Sequence, residues 1–412
     1  MTQKRSQPFI ILILGALTMI GPFSIDMYLP GFPAIAKDLQ TTVVEVQLSL
    51  ASFFIGASLG QLFYGPITDR FGRKRPLYFG LSLYMLASLA CVFAPNVETL
   101  IALRFVQALG GSVGMVVSRA VVRDLYQPEE MAKIFSMLML VMGIAPIIAP
   151  SLGGILAAEL GWQAIFLTLT IISASVLLGM YLALPETKGA DPTVSLHPKL
   201  VLKDYIQIFK NRQFLTYVMV GGISGAGMFA YISGSPFVFI QLHEVPEATF
   251  GIIFSANALG LILAGQINRL VLRSWSTKQI IKFVNIIQLI FGLLLVVYAF
   301  TQFGGLPMLI TLIFCYMSTL GFIYPNAGAL AMSPFTRNAG AASALMGSLH
   351  FVVSAISAAI VSAFDNGTAL PMSGVMAGTS FFVFLLMYFA IKREVRFSEK
   401  EFIKEEGKAV VL

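Results

Sequence analysis

The sequence has little charge for its length. Of its 412 residues, 11% are charged and 57% are hydrophobic. A soluble protein of this length needs far more charge to cover its surface. The composition therefore excludes an ordinary soluble protein, and it indicates an apolar solvent around the chain as well as an apolar core within it.

Cysteine is scarce, and so are the signatures of enzymes. Cys91 and Cys315 each lie inside an apolar run, so we interpret them as small buried residues and not as a disulfide or a metal site. The sequence contains no phosphate-binding loop of the type G-x-x-x-x-G-K-S/T. We therefore expect no enzyme activity, no metal, no cofactor and no ATPase subunit. The net charge of +7 is spread over loops, which argues against a nucleic-acid partner.

Long apolar runs dominate the sequence instead. A helix needs about 20 apolar residues to cross the hydrocarbon core of a bilayer. Runs bounded by charge, Gly and Pro predict an all-α polytopic membrane protein with twelve transmembrane helices. The predicted spans are 9–31, 46–67, 76–95, 98–121, 133–157, 163–184, 214–240, 250–271, 279–301, 306–330, 340–362 and 371–391.

The first run has some features of a signal peptide, because Lys4 and Arg5 precede it and Ala34-Ile35-Ala36 resembles a cleavage site. The run is long enough to span, however, and it contains Asp26, for which a signal peptide has no use. We therefore predict that it is retained as the first span.

The basic residues predict the orientation. If both termini are cytoplasmic, every Lys and Arg except Lys37 and Arg104 falls on the cytoplasmic side, as the positive-inside rule requires.

The longest hydrophilic stretch, 185–213, separates two groups of six spans. Residues 200–212 within it fit either a helix on the membrane surface or a plain linker. We predict a bundle at 1–184, a cytoplasmic linker at 185–213, a bundle at 214–391 and a cytoplasmic tail at 392–412.

A weak internal repeat supports two duplicated halves. Five residues around the end of the second span recur 200 positions later, around the end of the eighth. They are Leu59, Gly60, Gly65, Ile67 and Arg73, repeated as Leu259, Gly260, Gly265, Ile267 and Arg273.

The loop after the second span contains a specific motif. Gly65, Asp69, Arg70, Gly72 and Arg73 form the pattern G-x-x-x-D-R-x-G-R. This resembles the signature loop of the major facilitator superfamily. The glycines permit a tight turn and close helix approach, and an acid here caps a neighbouring helix or pairs with an Arg. We interpret the loop as a latch between conformations; the alternative is a basic loop that only anchors the topology.

Two charged residues lie well inside predicted spans, Asp26 in the first and Arg104 in the fourth. Each costs at least about 2.5 kcal/mol at the bilayer centre and therefore marks a functional site. The segment 24–31 resembles the first span of the Bcr/CflA drug-resistance subfamily, and 103–110 resembles the fourth-span motif of the superfamily. The two charges lie at similar depth, so we expect them to influence each other and to couple proton binding to transport. A static ion pair is the alternative.

The fifth span contains Pro146, Pro150, Gly153 and Gly154, and its segment 149–154 resembles the antiporter motif G-P-x-x-G-G with Ala in place of the first Gly. Prolines bend a helix and glycines allow another helix to pack closely. In the family this motif marks proton-antiport exporters. An ordinary kinked span is the alternative, since Gly and Pro are frequent in membrane helices.

Other polar residues give weaker signals. Some are expected either to contact substrate or to make hydrogen bonds between helices. These are Tyr28, Gln107, Tyr231, Asn257, Asn326 and His350. The end of the fourth span also resembles the subfamily and is expected either to gate with the Asp69 loop or to anchor at the interface. It contains Arg119, Arg123 and Asp124.

The resemblance covers nearly the whole chain. It implies two pseudo-symmetric six-helix bundles around a central cavity, in a monomer of the bacterial inner membrane. It also implies export of small amphipathic drugs, such as phenicol-type antibiotics, driven by the proton gradient through alternating access. The alternative is a proton-coupled transporter of a metabolite or an amino acid. An importer, a uniporter or channel, and a non-transporting receptor also stay open.

Overall fold

The computed structural model describes residues 3–126, 128–194, 196–335 and 339–409. Within them, twelve helical segments are long and apolar enough to cross a membrane, which confirms the predicted number of spans. Their bounds are Phe9–Asp38, Val43–Phe71, Lys74–Val92, Val97–Leu125, Val141–Leu160, Gln163–Ala183, Arg212–Leu242, Glu247–Val271, Thr277–Thr301, Gly305–Met332, Ala339–Ala363 and Leu370–Phe389.

The helices of the first half are α1 to α7, and α8 lies in the linker. Their bounds are α1 Gln3–Asp26, α2 Phe32–Asp38, α3 Val43–Phe71, α4 Lys74–Val92, α5 Val97–Leu125, α6 Pro128–Leu160, α7 Gln163–Ala183 and α8 Pro198–Phe209. A 3-10 turn at Leu29–Gly31 joins α1 to α2, so the first span, predicted at 9–31, is interrupted near that end and extends to Asp38.

The helices of the second half are α9 to α14. Their bounds are α9 Arg212–Ser235, α10 Glu247–Val271, α11 Thr277–Thr301, α12 Gly305–Met332, α13 Ala339–Ala363 and α14 Leu370–Ala409. A π-helix at Pro236–Leu242 extends α9. The last helix continues through Ala409, so most of the predicted tail is helical.

Local chemistry sets several helix starts and stops. Thr42 and Glu45 form a capping box at the start of α3, and the Asn96 side chain caps α5. Such caps satisfy backbone N–H groups that have no partner inside the helix. Gly72, with φ of +83°, ends α3, a conformation that glycine adopts without strain.

The two halves repeat the same packing. In the first half α3 packs on α5, α4 on α7 and α1 on α6; in the second half the corresponding pairs are α10 with α12, α11 with α14 and α9 with α13. The halves meet where α3 packs on α13 and where α6 packs on α10, and these two contacts correspond under the same repeat. The fold is therefore two pseudo-symmetric six-helix bundles, as predicted.

The bundle has two distinct ends. We call the end with the α3–α4 turn and the linker the loop end, and the end with α2 the opposite end. The predicted cytoplasmic side corresponds to the loop end.

Candidate transport cavity

A cavity of about 1170 Å³ lies between the two halves. Pockets for drug-sized ligands commonly enclose about 300–1,000 Å³, so this one is large enough for such a ligand. Most of its wall is apolar, and Asp26 is the one acid among the described residues that line it. Lining residues include Asp26, Phe53, Gln61, Tyr84, Met115 and Pro146 from the first half, and Met228, Tyr231, Phe254, Asn257 and Tyr324 from the second.

Asp26 is the last residue of α1, at the interruption of the first span. Beyond it the Tyr28 N–H donates to the Ile25 carbonyl at 3.3 Å, so the Ser24 carbonyl loses the donor it would have in a continuous helix. Pro30 has no N–H and cannot continue the helical pattern. The interruption thus leaves a backbone carbonyl for another helix to satisfy.

Arg104 of α5 satisfies that carbonyl. Its Nη2 donates to Ser24 O at 2.8 Å, and its Nη1 donates to Gln107 Oε1 at 2.5 Å. The guanidinium also lies 4.4 Å from the ring centroid of Tyr28 and 4.3 Å from that of Phe53, which is cation–π geometry. Arg104 is fully buried, so this cage holds a positive charge in the first half without an acid.

The structure does not pair Asp26 with Arg104. Within the described ranges, the ion pairs all lie at the loop end, and Asp26 makes neither an ion pair nor a hydrogen bond. The two residues are connected through the backbone, because Arg104 binds the carbonyl two residues before Asp26. The position of a residue along its span does not determine which way its side chain points. Their roles in coupling stay a prediction.

Asp26 instead lines the cavity together with residues of the second half. It lies within electrostatic reach of Tyr231, and both residues line the cavity. The Asn257 Nδ2 donates to the Tyr231 hydroxyl at 2.9 Å, and the Tyr231 ring stacks on Phe254 with centroids 5.3 Å apart. The structure therefore brings together three of the predicted residues, Asp26, Tyr231 and Asn257.

Four other predicted residues do not line the cavity. Tyr28 bonds to Ser49, and Gln107 donates to Ser88 at 2.7 Å. Asn326 donates to Asn268 at 2.8 Å within the second half. His350 packs against the ring of Tyr324, 5.9 Å between centroids, and that ring belongs to the cavity wall. Helix rotation explains these outcomes, since a polar residue in a span faces the cavity only if its helix turns that side inward.

The wall also contains residues that the sequence reasoning missed. Tyr84, Gln61 and Tyr324 contribute polar groups to it. Tyr84 bonds to Ser24 Oγ at 2.6 Å, next to the interruption of the first span. The only signal available in the sequence was a polar or aromatic residue within an apolar run, and too many residues share it.

The α6 motif lies at the junction of the halves near the opposite end. A β-carbon at Gly153 would overlap the Met27 carbonyl oxygen, and one at Gly154 would lie 2.9 Å from Glu247 O. The Ser255 hydroxyl of α10 donates to Ile147 O of α6 at 2.5 Å. The glycines of the motif therefore let α6 pack directly on the interrupted first span and on α10 of the other half.

The Asp69 motif forms a charged network at the loop end. Arg73 pairs with Asp69 at 2.9 Å and with Asp124 at 2.8 Å. Lys188 of the linker pairs with Asp69 at 3.1 Å. Glu186 accepts from the backbone N–H of Arg73 at 2.7 Å, at the start of α4. The network therefore binds the first half to the linker.

Other arginines at the loop end contact the linker and the second half. Arg70 donates to Val194 O at 2.7 Å. Arg119 of α5 donates to Ser343 Oγ of α13 at 2.9 Å, which joins the two halves directly. Arg123 lies against Gly340 of α13. Among the described residues at the loop end, these α5 arginines contact the second half, whereas the ion pairs of Asp69 stay within the first half and the linker.

Comparison with known proteins agrees with this architecture. Residues 14–359 match the model of the Major Facilitator Superfamily. The chain belongs to the major facilitator superfamily. It is thus a transporter, and with twelve spans and bacterial relatives it is a multi-pass protein of the bacterial inner membrane.

Individual superfamily members resemble the chain along most of its length. An uncharacterized MFS-type transporter, YdgK of Bacillus subtilis, is 36% identical over 93% of this chain and 95% of its own. A bicyclomycin resistance protein homolog of Haemophilus influenzae is 32% identical over 96% of this chain and 99% of its own. A crystal structure of a D-xylose–proton symporter shares the fold, with a TM-score of 0.73, 13% identity, and coverage of 93% of this chain and 97% of that one. The resemblance to the drug-resistance subfamily that we drew from the motifs agrees with these relatives.

Proposed function

We propose that this transporter is a proton-coupled antiporter that exports small amphipathic drugs, including phenicol-type antibiotics, by alternating access. The observation that carries the proposal is Asp26, an acid without an ion pair or hydrogen bond among the described residues, on the wall of a large cavity that both halves line. We also propose that the loop end faces the cytoplasm and that the protein acts as a monomer.

The coupling follows from the position of Asp26. A lone carboxylate at membrane depth is unfavourable, so the residue binds a proton when apolar surroundings close on it and releases it when water enters. Asp26 ends α1 at the interruption of the first span, and Arg104 binds the carbonyl of Ser24 beside it. Rocking of one half against the other changes the exposure of Asp26, since residues of both halves, Tyr231 among them, line the cavity around it.

Exchange requires that the proton and the drug favour opposite states. A ligand shifts a conformational equilibrium only by the difference in its affinity for the two states. A drug that binds the cavity beside the charged Asp26 would favour release of the proton, and reprotonation would favour release of the drug. Competition of the two for one cavity thus yields antiport.

Drugs suit this cavity because its wall is apolar and adaptable. Methionine side chains such as Met115, Met228 and Met317 conform to ligands of different shapes. The related protein of Haemophilus influenzae is named for bicyclomycin resistance, which supports a drug as substrate. A metabolite or an amino acid would be expected to require more fixed polar groups than this wall offers.

The test is transport into inside-out vesicles that contain the purified protein. With a proton gradient imposed, acid inside, we expect chloramphenicol to accumulate and protons to leave the vesicle in step with it. Uptake that is equal with and without the gradient would contradict proton coupling. Gradient-driven uptake of amino acids, with no uptake of any drug in a broad panel, would instead support a metabolite transporter.

A further inference from the structure

One face of the linker helix α8 packs on both halves of the protein. Successive residues of an α-helix are about 100° apart, so Val201, Tyr205 and Ile208 share one face. Ile208 is 2% exposed, and the Tyr205 hydroxyl donates to Leu62 O of α3 at 2.9 Å. This face therefore packs on protein.

A second face of α8 is apolar and open. Leu202, Ile206 and Phe209 are spaced as neighbours on one side of the helix. They are 58%, 44% and 44% exposed. Only Lys210 and Asn211 separate α8 from α9, which enters the membrane as the seventh span. The short connection places this apolar face beside the start of the seventh span.

A third face, beside the apolar one, is basic. Lys199, Lys203 and Lys210 are exposed, and no ion pair engages them within the described ranges. Asp204 is the one acid of the helix, and its position points away from the lysines. An apolar stripe with an adjoining stripe of lysines is the pattern of a helix that lies in the interface of an anionic membrane.

The same helix also touches the second half. It contacts α13 and α9. The Tyr205 hydroxyl and the Ala344 methyl both lie 3.9 Å from the position that a β-carbon at Gly65 would occupy, so Tyr205 stands where α3 and α13 meet. Burial raises the pKa of Tyr205 to about 12, and the charges of Asp204 and Asp69 add to this, so the hydroxyl keeps its proton as a donor.

We propose that α8 is a docking surface for anionic phospholipid headgroups, and that lipid bound there favours the state in which the loop end is closed. Opening the loop end separates α3 from α13, and α8 then loses one of its two attachments. When α8 lies so that both stripes meet the leaflet, it also keeps the hydrogen bond between Tyr205 and Leu62 O. Lipid that holds α8 there therefore has a higher affinity for the closed state.

The test follows the distance across the loop end in vesicles. Spin labels are placed at Leu125→Cys and Leu272→Cys, two exposed positions in different halves, after Cys91 and Cys315 are replaced by alanine. Phosphatidylcholine vesicles are compared with vesicles enriched in phosphatidylglycerol, and inorganic phosphate is added to the former as a third arm. We expect phosphatidylglycerol, and not free phosphate, to raise the ratio of the short to the long distance.

Three variants make the test specific. Each lysine near an anionic surface changes binding about fivefold, so K199Q/K203Q should lose most of the lipid-dependent shift. The control R273Q/K282Q removes two exposed charges at the same end and should keep it. Y205F removes the bond to Leu62 and leaves the lysines, so it should retain lipid contact, measured by quenching from brominated lipid, but lose the shift.

Several outcomes would overturn the proposal. Equal loss in K199Q/K203Q and R273Q/K282Q would show a general charge effect, and an undiminished shift in Y205F would remove the link to α3. A response to free phosphate alone would replace lipid by a soluble anion. None of these measurements needs a drug or a proton gradient, so they stand apart from the test of the proposed function.

Discussion

Asp26 and Arg104 are the two ionisable residues deep in the first half, and their surroundings differ. Arg104 is fully buried in a cage of one carbonyl, one amide oxygen and aromatic rings. Asp26 is 5% exposed on the cavity wall and has neither an ion pair nor a hydrogen bond in the part of the chain that the structure describes. The fold therefore surrounds the guanidinium of Arg104 with partners but leaves the carboxyl of Asp26 without them.

From this difference we infer that Arg104 is a positioning residue and that Asp26 is the residue that can titrate. A charge that the fold surrounds with partners is stabilised in one state and resists change. A carboxyl without partners responds to whatever enters the cavity, whether water, a proton or a ligand. We therefore expect substitutions of Asp26 to affect coupling and substitutions of Arg104 to affect folding and the shape of the first span.

The largest effect on transport should come from Asp26→Asn. The amide is nearly the same size as the carboxyl but takes no proton, so gradient-driven export should disappear and drug binding should lose its dependence on pH. The measurement is drug-dependent proton release from inside-out vesicles, together with a binding assay on the purified protein. Asp365→Asn, at an exposed loop position, is the control and should leave both unchanged. Unchanged proton exchange in D26N would place the coupling site elsewhere.

The largest effect on stability should come from Arg104→Met. The substitution leaves Ser24 O and Gln107 Oε1 buried without their donor, at about 1–3 kcal/mol for each group. We expect a loss of about 2–5 kcal/mol, seen as a lower melting temperature in detergent. Arg104→Lys keeps the charge but not the planar guanidinium with its several N–H donors, so this variant should lose less stability than R104M.

The matched control is Arg273→Met, which removes an exposed arginine and should stay within about 0.5 kcal/mol of the wild type. If R104M were as stable as this control but had lost proton coupling, Arg104 would belong to the coupling machinery, and the comparison with Asp26 would fail.

The contrast also shows what the sequence could predict and what it could not. Twelve apolar runs and the repeat at an offset of 200 were sufficient for the fold, because length and hydropathy decide which helices cross a bilayer. They were insufficient for the relation between Asp26 and Arg104, which depends on helix rotation and on the interruption of the first span. Pro30, Gly31 and Pro33 carried a signal for that interruption, since two prolines so close together cannot continue the backbone bonding of a helix.

The same limit applies to the other polar residues. Asn257 and Asn326 look alike in the sequence, each an amide within an apolar run. Asn257 lines the cavity, whereas Asn326 bonds to Asn268 inside the second bundle. Only the packing of the neighbouring helices decides which amide meets the substrate.

A smaller effect is expected from Gly153→Ala. The added methyl would overlap Met27 O at the interruption beside Asp26, so α6 or the first span must move. Overpacking of this kind costs about 1–3 kcal/mol. The measurement is the melting temperature together with the drug transport rate, and both should fall. Such a fall would show that the surroundings of Asp26 depend on close packing as well as on charge.

Gly328→Ala is the control for this prediction. It lies within α12 and has open space where its β-carbon would be, so the substitution should be neutral or stabilise the helix by up to about 1 kcal/mol. Equal behaviour of G153A and G328A would mean that the motif glycine has no role in packing the first span.

The smallest effect should come from Glu186→Ala, far from both intramembrane charges. Its carboxylate accepts from the backbone N–H groups of Arg73 and Lys74 and so caps α4. Loss of such a cap costs about 1 kcal/mol. Hydrogen exchange of these two amides should speed up, while proton coupling through Asp26 persists. Glu159→Ala, at the opposite end of the first half, is the control and should leave that exchange unchanged. If E186A abolished coupling instead, the loop end would control the charge state of Asp26. The cavity around Asp26 would then not be sufficient to explain when this carboxyl binds a proton.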